Sequence, residues 1–298
     1  MSGKVSPATA FAVAAIGIAS YSCMDALMKG LSIVSGAYSA VLWRSIAGVL
    51  LLGPVFLARR RPWPTQEALR LHWWRGLAAG ASVVLFFWGL VRVTMAQGVA
   101  LSFIAPLIAL YLAAAFLGER IRRSAIWGSA VASLGVLAIA AGEIVNQVST
   151  AHVLGSVAIL AASLLYAVSL VLLRRQAQVA DALEVALFTS VVLGGVLLLG
   201  APWFSQAPSI AELPRIAAAA ALGSVSTVLL AWAYARAQAQ VLVPVEYTAF
   251  LWSGLLGYLV FGERVSLYTV AGAGLIIGGC VVAVRGNAGP APQTEAAA

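Results

Sequence analysis

The chain has 298 residues, of which 62% are hydrophobic and only 9% are charged. Soluble domains carry roughly 25% charged residues, so this composition excludes an ordinary water-soluble fold and indicates a protein of the lipid bilayer. The formal charge of +8 indicates no nucleic-acid partner, because the basic residues lie in short connections between apolar runs.

Ten apolar runs follow one another along the chain, and each is long enough to cross a membrane. A hydrocarbon core of about 30 Å needs roughly 20 helical residues, and backbone groups in lipid must be paired within the segment. The fold class is therefore an all-α integral membrane protein of ten transmembrane helices. The predicted spans are 8–29, 37–58, 75–93, 97–117, 124–142, 153–173, 183–201, 215–235, 241–261 and 267–284. The Gly-, Pro- and Ala-rich tail 286–298 is predicted to be disordered.

The basic residues predict which side of the membrane each connection occupies. With the N-terminus in the cytoplasm, 13 of the 18 Lys and Arg residues fall at cytoplasmic ends or loops. This asymmetry follows the positive-inside rule. We therefore expect both termini in the cytoplasm and the protein in the cytoplasmic membrane.

A short motif recurs in the two halves of the chain. Leu-Gly-Glu-Arg at 117–120 is followed 144 residues later by Phe-Gly-Glu-Arg at 261–264. The chain therefore divides into two repeats, 8–142 and 153–285, each of five predicted spans. Because five is odd, the second repeat enters the membrane from the opposite side, and such inverted repeats are typical of secondary transporters.

These motifs, together with Arg44 early in span two and Pro106 in span four, resemble the drug/metabolite transporter superfamily and its ten-helix members built from two EamA-type domains. The resemblance extends from about Thr9 to Arg285, and within the group it is greatest to the YddG-type aromatic amino acid exporters. It implies export of aromatic and neutral amino acids, such as methionine and threonine, by alternating access. The second half departs from the pattern, since Phe250 replaces the proline that would match Pro106.

Residues inside the predicted spans provide the candidates for a substrate cavity. A carboxylate at Glu246 could bind a substrate ammonium or a coupling proton; alternatively, it could reach the cytoplasmic interface or pair with Arg236. Aromatic rings within spans could line a pocket or could simply pack between helices. The cavity candidates are Tyr21, Trp43, Trp88, Tyr166, Glu246 and Trp252.

Other polar positions are expected to be structural. The repeated motif places a glycine and an arginine at a helix C-terminus, where both residue types are favoured; it comprises Gly118, Glu119 and Arg120 with Gly262, Glu263 and Arg264. Asp25 and Lys29 share a helix face and could neutralise each other. Arg44 could snorkel to water, pair with Asp25 or bind a substrate carboxylate. Glu184 is expected at the interface.

Two other functions compete with amino-acid export. The same architecture could carry a drug cation or a nucleotide sugar. A membrane-embedded lipid-modifying enzyme is disfavoured, because His72 and His152 are near span ends and neither a metal-binding cluster nor a nucleophile motif is present. The chain also has no phosphate-binding loop. We expect a small-molecule substrate within the bilayer, protons as a candidate coupling ion, and no cofactor, metal or nucleic acid.

Overall fold

The computed structural model describes residues 7–59, 63–117, 123–145, 148–176, 179–234, 245 and 247–285. These residues form ten helices and no strand. The helices are α1 Pro7–Ala58, α2 Gln66–Leu90, α3 Met95–Ser102, α4 Ala105–Leu117, α5 Arg123–Val145, α6 Thr150–Gln176, α7 Ala182–Phe204, α8 Leu213–Tyr234, α9 Thr248–Phe261 and α10 Leu267–Arg285. The predicted disordered tail, 286–298, lies outside the described residues.

Six helical segments of the described chain are long and apolar enough to cross a membrane, and three shorter apolar helices accompany them. The first segment, Thr9–Ala58, has 50 residues, about 75 Å of helix and more than twice the thickness of a bilayer core. Gly36 interrupts α1 with φ 80° and ψ 150°, a conformation that glycine adopts at little cost. The protein is therefore a multi-pass membrane protein, while the count of ten spans and their inverted arrangement stay predictions.

Predicted span 97–117 is divided in the structure into α3 and α4. Pro106 lies in the first turn of α4, where its missing N–H is tolerated, and proline disfavours helical backbone at the residue before it. The Cys280 thiol donates a hydrogen bond to the Phe103 carbonyl at the break, at 3.4 Å. A backbone carbonyl released by the interruption thus has a partner within the protein, as the bilayer requires.

The helices form two compact units, and each unit combines segments from both predicted repeats. Unit one comprises Met1–Leu77 and Leu173–Trp252. There α1 packs mainly on α8 and α7. Ser226 of α8 is fully buried and donates to the Gly17 carbonyl of α1 at 2.8 Å. A side-chain bond to main chain thus fixes this helix pair.

Unit two comprises Ala78–Leu172 and Ser253–Gly289, and its main contact joins α5 to α10. The two backbones approach so closely that a Cβ added to Gly272 would lie 2.6 Å from the Gly135 carbonyl oxygen. Ile139 and Ile276 are buried beside these glycines. Small residues are the usual means by which membrane helices pack closely.

Candidate functional site

The structure distributes the described aromatic candidates over both units. Tyr21, Trp43 and Trp252 belong to unit one, whereas Trp88 and Tyr166 belong to unit two. All five keep part of the ring accessible, as a residue facing a cavity or lipid would. Their role in a substrate cavity stays a prediction. Glu246 lies outside the described residues.

Trp43 and Trp88 each contact a polar group of the protein. The Trp43 indole N–H donates to the Gln206 carbonyl at 2.8 Å, so its polar atom is satisfied by the connection that follows α7. The Arg92 guanidinium lies 3.5 Å from the centre of the Trp88 ring, a cation–π contact that covers one face. Cargo could therefore stack on Trp88 only from the other face.

The second copy of the repeated motif ends α9 and contacts the start of α3. Gly262 has φ 67°, and its N–H donates to the Tyr258 carbonyl at 3.0 Å. The turn presents Glu263, whose carboxylate accepts a hydrogen bond from the Met95 N–H at 2.7 Å. A first-turn amide that has no partner within its own helix is thereby satisfied. The first copy, Gly118, Glu119 and Arg120, lies outside the described residues.

A small polar cavity opens beside this motif in unit two. Its volume is about 130 Å³, well below the 300 Å³ or more of a typical drug-sized site. Inside it, the Gln97 amide donates to Ser156 and the other amide atom contacts His152, both at 3.0 Å. Its lining is Thr94, Gln97, Ile139, Gly142, Val148, His152, Arg264, Ser266 and Thr269. The connections before α3, α6 and α10 therefore meet at one end of unit two.

Three charged side chains of α1, which lie on both sides of the interruption at Gly36, are buried or partly buried in unit one. Asp25 and Lys29 are 8% and 2% exposed, and Arg44 is partly buried. The positive charge of Arg44 acts on the Asp25 carboxylate, whereas the buried Arg44 Nε has no hydrogen-bond partner in the described part of the chain. Ionisable groups at such depth are expensive unless they are paired, and in membrane proteins they mark substrate or ion pathways.

A second buried polar group escaped the sequence analysis. His72 and Glu184, both expected near span ends, are in contact, and Gln176 completes the group from the end of α6. These residues come from three helices, and His72 is 104 positions from Gln176 and 112 from Glu184. No local spacing could have revealed their contact.

The two halves of the sequence match the same family. The model of the EamA-like transporter family fits residues 8–141 and, a second time, residues 153–285. This chain belongs to the EamA-like transporter family. The superfamily resemblance is thus confirmed, and the family and its named relatives are transporters, which points away from an enzyme. The narrower likeness to aromatic amino acid exporters is not confirmed.

Known relatives are similar to this EamA-like protein over most of their length. The pseudopaline exporter CntI of Pseudomonas aeruginosa is 24% identical over 273 residues, which cover 90% of this chain and 93% of that protein. An uncharacterized transporter of Helicobacter pylori is 25% identical over 86% of this chain and 88% of its own. A solved crystal structure superposes with a TM-score of 0.59 over 94% of this chain and 98% of the other, at 22% identity; that likeness concerns the fold alone.

Proposed function

We propose that this transporter exports small zwitterionic metabolites, amino acids or compounds built from them, across the inner membrane by alternating access between two inverted repeats. The observation that carries the cargo class is the buried charge of α1. Asp25 supplies an anion for a substrate ammonium, and Lys29 with Arg44 supplies cations for a carboxylate. A zwitterion needs both signs close together inside an apolar bundle, and single ionic groups of one sign would not bind both of its ends.

The interruption of span four supports a transport site in the bilayer. Secondary transporters form their substrate sites with discontinuous helices, whose ends and unwound carbonyls point into the cavity. Here α3 ends at Ser102 and α4 begins at Ala105, with one of the intervening carbonyls bonded to Cys280. This break lies in predicted span 97–117, which contains Pro106, one of the residues that resemble the superfamily.

The ends of the helices in unit two support the inverted arrangement. Ser266, four residues after Gly262, lines the polar cavity together with Gly142 in the last turn of α5 and Val148 in the connection before α6. Arg123, three residues after the first motif, begins α5 and lies 19 residues before Gly142, roughly 28 Å along the helix. The residues that follow the two motif copies therefore lie at opposite ends of α5, which supports inverted repeats.

The pseudopaline exporter among the relatives supports outward transport and favours a second cargo. Its identity of 24% extends over nearly the whole of both chains, which makes a molecule of the pseudopaline kind a specific alternative to free amino acids. A drug cation and a nucleotide sugar remain comparison substrates for the same assay.

Counterflow in proteoliposomes tests the proposal. The purified protein is reconstituted into liposomes, which are preloaded with one unlabelled compound, and uptake of the same compound in labelled form is measured. The compounds are methionine, threonine, an aromatic amino acid, pseudopaline, a drug cation and a nucleotide sugar. We expect saturable uptake of a zwitterionic compound. Uptake by Asp25→Asn should fall at least about tenfold, because tenfold corresponds to roughly 1.4 kcal/mol and a lost ion pair in a buried site is worth that much or more.

Glu67→Gln is the matched control, because Glu67 is an exposed carboxylate in the first turn of α2. It should transport as the wild type does. The proposed cargo class would be contradicted if the wild type took up only the drug cation or the nucleotide sugar. It would also be contradicted if a monodisperse Asp25→Asn protein took up the zwitterion at the wild-type rate.

A further inference from the structure

His72, Glu184 and Gln176 form a buried hydrogen-bonded group at one end of unit one. The His72 Nε2 lies 2.8 Å from Glu184 Oε1, and the Gln176 amide nitrogen lies 2.5 Å from His72 Nδ1. His72 and Gln176 are 2% and 0% exposed. Polar groups removed from water to this degree are retained only where partners satisfy them.

The orientation of the Gln176 amide indicates where the histidine carries its proton. With the amide nitrogen assigned to the side that faces the ring, His72 Nδ1 accepts a hydrogen bond from Gln176 and carries no proton. The ring proton is then on Nε2 and is donated to the Glu184 carboxylate. The group in this arrangement is a neutral imidazole beside a carboxylate, which is the state that can take up one more proton.

Gln176 can accommodate that proton without a new partner. Its Oε1 is buried and accepts no hydrogen bond among the described residues. If His72 is protonated at Nδ1, rotation of the amide by 180° exchanges its nitrogen for this oxygen, which then accepts the new N–H. The imidazolium would donate at both nitrogens, to Gln176 and to Glu184, and every proton would have an acceptor.

The surrounding side chains isolate the histidine but leave a route for the proton. Phe188 of α7 stacks on the His72 ring with the ring centres 4.6 Å apart, and Phe56 and Trp63 pack against Phe188. Two charged groups act on the histidine: Glu184 from α7 and Arg75 from its own helix. The Glu184 side chain is 14% exposed, so it connects the buried ring to the surface.

We propose that His72, Glu184 and Gln176 constitute a proton-binding site through which pH controls transport by this protein. The proposal rests on the proposed function only in that the chain must transport; the identity of the cargo does not enter. In the predicted topology the site is at the cytoplasmic end of the bundle, so it would sense or bind cytoplasmic protons.

Histidine NMR tests the site without any cargo, because the chain has only two histidines. The full-length protein in nanodiscs is labelled with ¹⁵N-histidine and titrated, and the two rings are assigned with His72→Gln and His152→Gln. We expect the His72 nitrogens to change from one protonated site to two as pH falls. Glu184→Gln should move this transition by about one pH unit to the acidic side, because the carboxylate that stabilises the imidazolium is gone. A His72 signal that is constant from about pH 5 to 9 overturns the proposal.

Flux at controlled internal and external pH tests the functional consequence. The wild-type rate should change at least about threefold across the pH range in which His72 titrates, and His72→Gln should be independent of pH. Glu67→Gln, with an exposed carboxylate on the same helix as His72, is the control and should keep the wild-type profile. If His72→Gln does not fold, Glu184→Gln should shift the profile by about one pH unit to the acidic side. Unchanged pH dependence in His72→Gln, or its loss only in Glu246→Gln, overturns the proposal. Because the NMR result needs no substrate, it separates a failed proton site from a failed cargo assignment.

Discussion

Glu212 and Glu263 are carboxylates held by main-chain amides at the beginnings of helices. The Glu212 carboxylate accepts from the Ser209 N–H at 2.7 Å and from the Ser209 hydroxyl at 2.8 Å, just before α8. The Glu263 carboxylate likewise accepts a hydrogen bond from the first amide of α3, that of Met95, which is 168 positions away in the chain. The first contact follows a local Ser-x-x-Glu pattern, which sequence reading can find. The second depends on the tertiary fold and could not be found in that way.

Glu212→Gln should change how stability depends on pH. The Ser209 N–H and hydroxyl lower the pKa of Glu212 below its ordinary value of 4.5. A carboxyl with a depressed pKa stabilises the folded state above the ordinary pKa, and this contribution is lost as pH falls through the lower folded value. In detergent at pH 7 the variant should therefore melt at a lower temperature than the wild type. The difference should shrink below about pH 4.

Melting curves from about pH 7 to 3 check this prediction, with Glu67→Gln as a second carboxylate variant that has an exposed side chain. Parallel curves for the wild type and Glu212→Gln over the whole range would mean that the Ser209 contacts contribute nothing to stability.

The contact between His72 and Glu184 is also a feature of single residues. The sequence identifies both residues as polar groups near span ends, but it does not predict that they are in contact.

At the scale of the helices, α5 and α10 meet along a surface of small residues. A Cβ on Gly279 would collide with the Gly128 carbonyl, as one on Gly272 would with Gly135. Gly274 and Gly278 of the same helix have nothing within 4 Å of an added Cβ. Small residues in general allow membrane helices to pack closely. Only the structure shows which of them face a partner.

Gly272→Ala should destabilise the protein, and Gly274→Ala should not. The added methyl at 272 has to displace backbone of α5, and overpacking of this kind costs about 1 to 3 kcal/mol. At 274 the methyl meets open space, and alanine also favours helix. Thermal unfolding in detergent, followed by the monodisperse fraction on size exclusion, measures both. Equal melting temperatures for the two variants would be incompatible with this packing.

At the scale of the whole molecule, the apolar runs predict the helical class of the protein but not every helix boundary. An all-helical membrane protein with long apolar helices follows from composition and run length, because both depend on local sequence alone. Pro106 shows the limit of that approach: the run 97–117 is uninterrupted in hydrophobicity, but its helix divides where proline fixes the backbone. The assembly of two compact units from interleaved segments depends on contacts distant in sequence, which no run of residues encodes.

Cysteine labelling in intact cells tests the predicted topology. In a background with Cys23→Ala and Cys280→Ala, a membrane-impermeant thiol reagent should label Ser149→Cys and Ser266→Cys. It should not label Thr65→Cys or Arg123→Cys until the cells are opened. Arg123 and Ser266 follow the two copies of the repeated motif, so their labelling from opposite sides is expected for inverted repeats. Labelling of both from the same side would exclude the inversion.

The interleaving of unit one also has a consequence for biosynthesis. The helices α7 and α8, on which α1 packs, leave the ribosome long after α1 does. At bacterial rates of about 5 to 20 residues per second, the 59–181 segment between α1 and α7 takes roughly 6 to 25 s to synthesise. During that interval α1 is in the membrane without α7 and α8. The nascent chain therefore needs the insertion machinery or another helix to separate Asp25, Lys29 and Arg44 from lipid.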